Sequence, residues 1–281
     1  MSVLRGRPGK DTAPDHQPRG RFSAVVPRRR TAPELLDLPP GEQDSRELQE
    51  SLKDIRRVNR LLGGTGSALK DMEFALGKCA ASVDGSETGA VDLRGGRRRD
   101  EKKARRLKIL DIAAGSADIT AVMVNYAENK SYKVFSVAAD LNPAVLAAGR
   151  AWNRNFPEIS YVSADGLMLP FPDRSFDIVH CSLVLHHLSR DNALKFIAEM
   201  ARVSKSAIII GDLRRNVIPW ALIWLLTRLF TSNRYTRYDG PLSVLKSFTF
   251  AEMQALAQSA GLKDFRIRRR RFWRMSIVGF V

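Results

Sequence analysis

The chain of 281 residues is 44% hydrophobic, which is enough for one good-sized core, and its length does not require a second. It has only two cysteines, Cys79 and Cys181, which argues against a disulfide-stabilised secreted domain, and no secretory signal is recognisable. The most apolar run, residues 217–226, is too short to cross a bilayer before Arg228 interrupts it. We therefore expect a soluble, cytoplasmic protein with one main domain.

The formal net charge of +16 is concentrated in two stretches. Residues 1–30 contain eight Arg and Lys against two Asp, and residues 94–108 contain nine against two acidic residues. Because both stretches lack hydrophobic periodicity, we predict a disordered basic tail over residues 1–44 and a flexible basic linker over residues 81–106. Such segments can contact nucleic acid or an anionic membrane surface. The interpretation we favour is that they only aid solubility.

Residues 45–80 are predicted to form a helical cap. One helix follows Ser51 and ends at Gly63 and Gly64, and a second covers residues 67–76. The apolar face of the first helix consists of Leu52, Ile55, Val58 and Leu62.

Four short apolar runs follow, each ending on a polar residue and separated from the next by a helical stretch. This pattern predicts a parallel sheet whose carboxyl edge binds a ligand. The runs cover residues 107–111, 134–140, 159–165 and 176–182. Their ends bring the carboxylates of Asp111, Asp140 and Asp165 to one edge of the sheet.

The first run leads into a turn of small residues, 111–118, which lets a ligand approach the backbone at the start of a helix. Asp140 is placed to accept hydrogen bonds from two ribose hydroxyls, and Asp165 to accept one from an adenine amino group. The alternative is that these Asp residues only cap helices. A nicotinamide-dinucleotide site is discounted because the turn holds a single glycine, Gly115.

From residue 107 to about residue 281 the chain resembles the class I methyltransferases, which use S-adenosylmethionine. That family usually has Asp-x-Gly-x-Gly-x-Gly after its first strand, and here Ala113 and Ala117 replace the outer glycines. Because Ala favours negative φ, we expect a less extreme turn. The turn and residues 165–177 are similar to the quinone-ring methyltransferases. The resemblance implies a cofactor site made of Asp111, Ala113, Gly115, Ser116, Asp140, Leu141, Asp165, Gly166 and Ser182.

Two further segments, residues 54–64 and 238–243, resemble bacterial enzymes that methylate phenolic polyketide products. In many class I methyltransferases a leading helix pair closes over the cofactor, so the resemblance implies this role for the helical cap. Plain packing of the two helices on the domain is the alternative.

Two imidazoles, His186 and His187, follow the fourth strand, where a methyl acceptor must lie. A fifth strand, residues 207–212, ends on Asp212, and class I topology makes it the neighbour of the fourth. His186 and Asp212 are therefore expected to face each other as a general base and the group that orients it. Alternatively, Asp212 caps the next helix and His187 packs beneath it.

Residues 213–246 form an insertion that a minimal domain of this class does not need. It is predicted to contain an apolar helix that forms a lid over a pocket for a flat acceptor. We assign acceptor binding to His187, Arg214, Trp220 and Trp224. A packing helix, a homodimer contact and a membrane-surface anchor remain open.

We predict an α/β, Rossmann-like class I methyltransferase fold with a mostly parallel sheet and an antiparallel terminal strand. The favoured function is methyl transfer to an oxygen of a lipophilic phenol or hydroquinone in secondary metabolism. Carbon as the attacking atom, an RNA or other nucleic-acid substrate, and a non-catalytic S-adenosylmethionine-binding protein remain alternatives. No metal ligands are predicted.

Overall fold

The computed structural model describes residues 26–39, 41–84 and 105–281. Within these residues the chain forms eight α-helices and seven strands. In chain order they are α1 (Ser45–Leu61), α2 (Gly64–Asp84), β1 (Arg105–Ile112), α3 (Asp118–Asn129), β2 (Tyr132–Asp140), α4 (Pro143–Trp152), β3 (Ile159–Ser163), β4 (Phe176–Ser182), α5 (Arg190–Val203), β5 (Ser204–Leu213), α6 (Val217–Phe230), α7 (Arg234–Lys246), α8 (Phe250–Ser259), β6 (Asp264–Arg269) and β7 (Arg274–Phe280). Short 3₁₀ turns cover Leu35–Asp37 and Leu185–His187.

The strands form one sheet in the order β3-β2-β1-β4-β5-β7-β6. The first five are parallel, and β7 runs antiparallel to both β5 and β6. The predicted fold class is therefore confirmed. β4 has the predicted bounds, whereas β3 ends at Ser163, so Asp165 lies in a turn beyond the strand. In that turn the Met168 N–H donates to Asp165 O at 3.1 Å.

Buried apolar side chains cover both faces of the sheet. Because successive strand residues point to opposite faces, Ile109 and Leu110 of β1 belong to two separate clusters. The Ile109 cluster includes Met123 and Val124 of α3, and the Leu110 cluster includes Phe196 of α5. This two-sided burial explains why the parallel strands appear in the sequence as continuous apolar runs.

The predicted disorder of residues 1–44 is wrong for residues 26–39 and 41–44, here called the N-terminal segment. Asp239 of α7 accepts hydrogen bonds from the N–H groups of Leu35 and Leu36, at 2.8 and 3.0 Å. Arg29 Nε donates to Lys246 O at 2.7 Å, and Leu36 is buried. These contacts give the segment a fixed place against α7. Residues 1–25 lie outside the described residues.

Both predicted cap helices are present, and α2 is longer than expected. It continues to Asp84, into the predicted linker, and β1 begins at Arg105, so the ends of that linker are helix and strand. Residues 85–104, with most of the linker charge, lie outside the described residues. Among the helices of the described part, none combines the length and apolar character required to cross a membrane.

Candidate functional site

A small cleft lies where β1 and β4 end, beneath α1. Its walls include most of the predicted cofactor residues of the first turn and the end of β4, together with residues of α1. The cleft is lined by Leu52, Ile55, Asn59, Asp111, Ala113, Ala114, Gly115, Ser116, Asp118, Ile119, His180 and Ser182. Its volume of about 20 Å³ is far below the roughly 300 Å³ of small-molecule pockets. The cleft must therefore widen for a cofactor to enter, and Leu52 and Ile55 of α1 form part of its wall.

The turn after β1 departs from the sequence expectation. Ala113 and Ala117 adopt φ values of 52° and 54°, in the same left-handed region as Gly115 at 57°. The expectation of a less extreme turn, which was based on the two alanines, is therefore wrong. Backbone hydrogen bonds hold the turn, since Ala114 N–H donates to Ala139 O and Ala117 N–H donates to Ala114 O. These hydrogen bonds offset the conformational free energy that the left-handed backbone costs, roughly 1–2 kcal/mol for each alanine.

Asp140, at the end of β2, is buried directly beside this turn. Its carboxylate accepts hydrogen bonds from the N–H groups of Gly115 and Asn142, both at 3.0 Å. Burial raises the pKa of this carboxyl. The neighbouring Leu141 is half-buried. Asp140 thus joins β2 to the turn, while its predicted role toward a ribose stays a prediction.

Asp165 and Gly166 lie at the same edge of the sheet, after β3. Asp165 Oδ1 accepts a hydrogen bond from Leu167 N–H at 2.8 Å. A Cβ atom on Gly166 would stand 2.5 Å from Cε2 of Phe196 and 3.1 Å from Cγ2 of Ile112. Only glycine fits there, so the packing of α5 against β1 explains this residue without any ligand.

The carboxylate of Asp111 is already occupied by side chains of the core. Its Oδ1 lies 2.8 Å from Nδ1 of His180, and its Oδ2 accepts a hydrogen bond from Thr120 Oγ1 at 2.5 Å. Sequence reasoning missed His180. The parallel register, which pairs Asp111 with His180 across β1 and β4, was the available signal.

On the acceptor side, His186 and Asp212 face each other as expected. His186 Nδ1 lies 2.7 Å from Asp212 Oδ1, and the His186 N–H donates to Asp212 Oδ2 at 3.0 Å. Both residues are buried. Burial alone would raise the pKa of Asp212, but attraction to His186 holds it below its usual value. The Asp212 carboxylate thus fixes both the backbone and the ring of His186.

The N-terminal segment brings two acids to the histidine pair, and sequence reasoning missed both. Glu34 Oε1 lies 3.9 Å from His186 Nε2, and its Oε2 lies 3.8 Å from His187 Nε2. His187 Nδ1 lies 2.9 Å from Asp37 Oδ1. The available signal was the short apolar and acidic stretch 34–38 inside the Pro-rich tail.

The buried Lys246 of α7 completes this charge cluster. Its Nζ lies 3.2 Å from Glu34 Oε1 and 3.4 Å from Asp37 Oδ2. Burial would lower the pKa of His187, but attraction to Glu34 and Asp37 raises it above its usual value. Burial would raise the pKa of Asp37, but His187 and Lys246 hold it below the usual range.

Within the described residues, Glu34, His186 and His187 could also hold a metal ion. One ligand atom from each lies within 4.8 Å of the other two. The Nδ1 atoms of both rings face carboxylates, as they do in many metal sites. The Lys246 ammonium, however, lies 3.2 Å from Glu34 Oε1, so this carboxylate already has a cationic partner without a metal.

The helix that was predicted to be a lid, α6, does not line the cleft. Trp224 is exposed and lines a cavity between α6 and α7, and Trp220 is half-buried. Arg214 N–H bonds to Trp273 O, and its side chain lines neither this cavity nor the cleft. Neither tryptophan nor Arg214 lines the cleft, and their role in acceptor binding stays a prediction. The cleft is covered by α1 instead, because α6 packs chiefly on α7.

Comparison with known proteins agrees with this geometry. Residues 110–209 match a family model described as a methyltransferase domain. The match covers 100 of the 281 residues, and over this stretch the chain is similar to the class I methyltransferases. The domain resembles the quinone-ring methyltransferases, and its class uses S-adenosylmethionine, as predicted.

Two curated relatives carry this resemblance. Demethylmenaquinone methyltransferase of Corynebacterium glutamicum is 36% identical over 114 residues, which cover 40% of this chain and 44% of that protein. Ubiquinone/menaquinone biosynthesis C-methyltransferase UbiE of Shewanella oneidensis is 36% identical over 103 residues, which cover 35% and 39%. The chain therefore matches less than half the length of these relatives.

Among solved structures, human N-acetylserotonin methyltransferase in complex with S-adenosylmethionine superposes with a TM-score of 0.53. The match covers 87% of this chain and 60% of that chain at 14% identity. At this identity the likeness supports the fold alone.

The left-handed alanines can be tested with glycine substitutions. For Ala117→Gly, relief of roughly 1–2 kcal/mol of strain offsets the lost methyl burial and the greater freedom of the unfolded chain, so we expect stability within ~0.5 kcal/mol of wild type. Ala121→Gly is the matched control, because Ala121 is equally buried but inside α3. It should lose about 2 kcal/mol. If urea unfolding shows that both variants lose the same free energy of unfolding, this result would contradict backbone strain at Ala117.

The contact of Asp239 with the N-terminal segment predicts a pH dependence. Burial and the charge of Glu34 raise the pKa of Asp239 to about 7. The folded protein thus keeps a proton that the unfolded chain releases near pH 4, and the Asp239 contribution to stability falls as pH rises from about 4 to about 7. The wild-type protein loses up to about 1.4 kcal/mol of unfolding free energy per pH unit in this range, and Asp239→Asn removes this loss.

The measurement is urea unfolding at several pH values. Relative to wild type, Asp239→Asn should become steadily more stable as the pH rises from about 4 to about 7. Asp191→Asn, at an exposed position of α5, is the control and should show a flat difference. A flat difference for Asp239→Asn as well would contradict the raised pKa.

Proposed function

We propose that the chain is an S-adenosylmethionine-dependent methyltransferase that acts on a lipophilic phenol or hydroquinone, with His186 as general base. The observation that carries the proposal is the buried pair of His186 and Asp212, a few residues beyond Ser182, which lines the cleft. Transfer from a sulfonium to oxygen requires the acceptor to lose a proton, and a positioned imidazole is suited to take it.

His186 and Asp212 have different roles in this proposal. When Asp212 accepts the Nδ1 proton of His186, the ring presents Nε2 as the basic atom. A phenol with a pKa near 10 is a weak nucleophile at neutral pH until such a base removes its proton. As the proton reaches Nε2, Asp212 and Glu34 stabilise the imidazolium by their negative charge.

S-adenosylmethionine, when bound, supplies the methyl group, and its sulfur leaves as a neutral thioether. The chain's residues then provide position. Alignment of an oxygen with the methyl carbon alone can supply roughly 7 kcal/mol or more. Leu52 and Ile55 of α1 cover the cleft and would exclude water once a ligand is in place.

Carbon methylation of a hydroquinone ring is the second candidate. It is favoured by the relatives, one named a demethylmenaquinone methyltransferase and the other a C-methyltransferase. The same base serves it, because an ionised hydroxyl makes the adjacent ring carbon nucleophilic. Mass spectrometry and NMR of the product from a panel of phenols and hydroquinones separate an ether from a ring-carbon methyl group.

Cofactor binding is tested at Asp140. Asp140→Ala should weaken S-adenosylmethionine binding by ~1.5–3 kcal/mol, since a charged hydrogen-bond acceptor is lost. Asp177→Ala is the matched control, because Asp177 also accepts a backbone hydrogen bond between strands, from Lys108 N–H, but at the opposite edge of the sheet. Calorimetry that finds no binding by wild type would overturn the cofactor assignment, and equal affinity in the Asp140 variant would overturn the role of Asp140 in binding it.

The general base is tested at His186. His186→Ala should lower kcat by ~10² to 10⁴ with little change in cofactor affinity, because only proton removal from the acceptor is lost. Asp212→Asn should be milder, and the double variant far from additive. Raised pH should partly restore either variant with a phenol, because solvent then ionises the acceptor.

His180→Gln is the control for the base, since His180 is also buried and paired with an aspartate. Any activity that it loses should not return at high pH. Near-normal turnover of His186→Ala at pH 7 would exclude His186 as the general base for either product and leave proximity alone as the source of catalysis. Turnover should also survive a chelator, and its loss would point to a metal held by Glu34, His186 and His187.

A further inference from the structure

The outer face of α6 is an apolar surface that the proposed reaction does not use. Only Pro219 and Thr227 of this helix are buried, and Leu229 and Phe230 are 65% and 78% exposed. The other exposed apolar side chains are Val217, Ile218, Leu222, Trp224 and Leu225. Isolated exposed apolar residues are common, but a contiguous set on one helix marks an interaction surface.

The inner face of α6 is fixed by tight packing on α7, so the exposed face has a defined orientation. A Cβ atom on Gly240 of α7 would lie 3.1 Å from Ile223 Cγ2 and 3.2 Å from Thr227 Cγ2. The two helices approach this closely only because position 240 is glycine. This packing sets which face of α6 is turned away from α7.

An arginine-lined cavity of about 360 Å³ lies beside this face, between α6 and α7. Arg228, Arg234 and Arg237 line it together with Trp224 and Tyr238, and none of its lining residues is acidic. Arg237 Nε donates to Thr231 O and Arg228 Nη1 to Trp224 O. Within the described residues, none of the three guanidinium groups pairs with a carboxylate.

We propose that α6 and this cavity form a docking surface for a bilayer containing anionic phospholipid. The apolar face of α6 enters the boundary between headgroups and acyl chains, and the three arginines bind headgroup phosphates. Leu, Phe and Trp beside Arg are the composition of helices that lie in a membrane surface. Guanidinium groups near an anionic leaflet add attraction to phosphate.

Two other occupants fit the surface less well. A symmetric dimer through this face would bring six arginines into one interface, and no residue that lines the cavity is acidic and could pair with them. Nucleic acid would satisfy Arg228, Arg234 and Arg237, but its phosphate backbone would leave Leu229 and Phe230 uncovered. A bilayer covers both the apolar and the cationic part, and it is also where a lipophilic acceptor resides.

The test is co-sedimentation of the full chain with vesicles of phosphatidylcholine alone, or of phosphatidylcholine mixed with phosphatidylglycerol. Wild type should prefer the mixed vesicles. The double variant Leu229→Asp, Phe230→Asp should bind mixed vesicles at least about tenfold more weakly. The triple variant Arg228→Gln, Arg234→Gln, Arg237→Gln should lose the preference for the mixed vesicles.

A charge-matched control separates this surface from the basic linker. The variant Arg97→Gln, Arg98→Gln, Arg99→Gln loses the same charge and should bind vesicles nearly as wild type does. Thermal unfolding and S-adenosylmethionine binding show whether each variant is folded, and neither depends on vesicles. Because vesicle binding is measured without turnover, its result is separate from that of the proposed reaction.

Three outcomes would overturn the proposal. Vesicle binding that depends on the linker arginines and not on α6 would assign the membrane contact to the linker. A wild-type dimer that the Leu229 and Phe230 variant converts to monomer, with vesicle binding unchanged, would make the face a contact between copies. Retention of RNA but not of vesicles through Arg228, Arg234 and Arg237 would make it a nucleic-acid surface.

Discussion

The candidate site depends on the register of the parallel strands. Pairing of β1 with β4 sets Asp111 opposite His180, and pairing of β4 with β5 sets Ser182 opposite Gly211. Strands in this register end at one edge, so a carboxylate after one strand reaches an imidazole after the next. Slippage by one residue would turn these side chains to the other face and leave buried charges unpaired, which is strongly unfavourable.

The strands could be predicted from sequence because strands buried on both faces are continuous apolar runs. The end of β3 was predicted less accurately because this strand lies at the edge of the sheet, where fewer neighbouring strands define its limits. The pairing of His186 with Asp212 followed from topology, since His186 comes after β4 and Asp212 lies near the end of the neighbouring β5. Sequence pattern thus predicted the features that depend on strand order.

Features that depend on contacts between distant residues could not be predicted. Composition suggested disorder for the N-terminal segment, yet Glu34 and Asp37 are held by His187 and Lys246. Local preference suggested negative φ for Ala113, yet hydrogen bonding of the turn to β2 through Ala139 outweighs that preference. In both cases the deciding partner lies far along the chain, where periodicity and propensity carry no information.

The same long-range contacts determine when the acceptor side can assemble. Leu35 bonds to Asp239, 204 residues further along the chain, and the partner Lys246 comes later still. During synthesis the N-terminal segment leaves the ribosome before α7 and has nothing to bind until α7 has followed. Loops of this length are slow to close, so we expect this corner to form after the sheet nucleates. A segment that is made before the sheet would then fold after it.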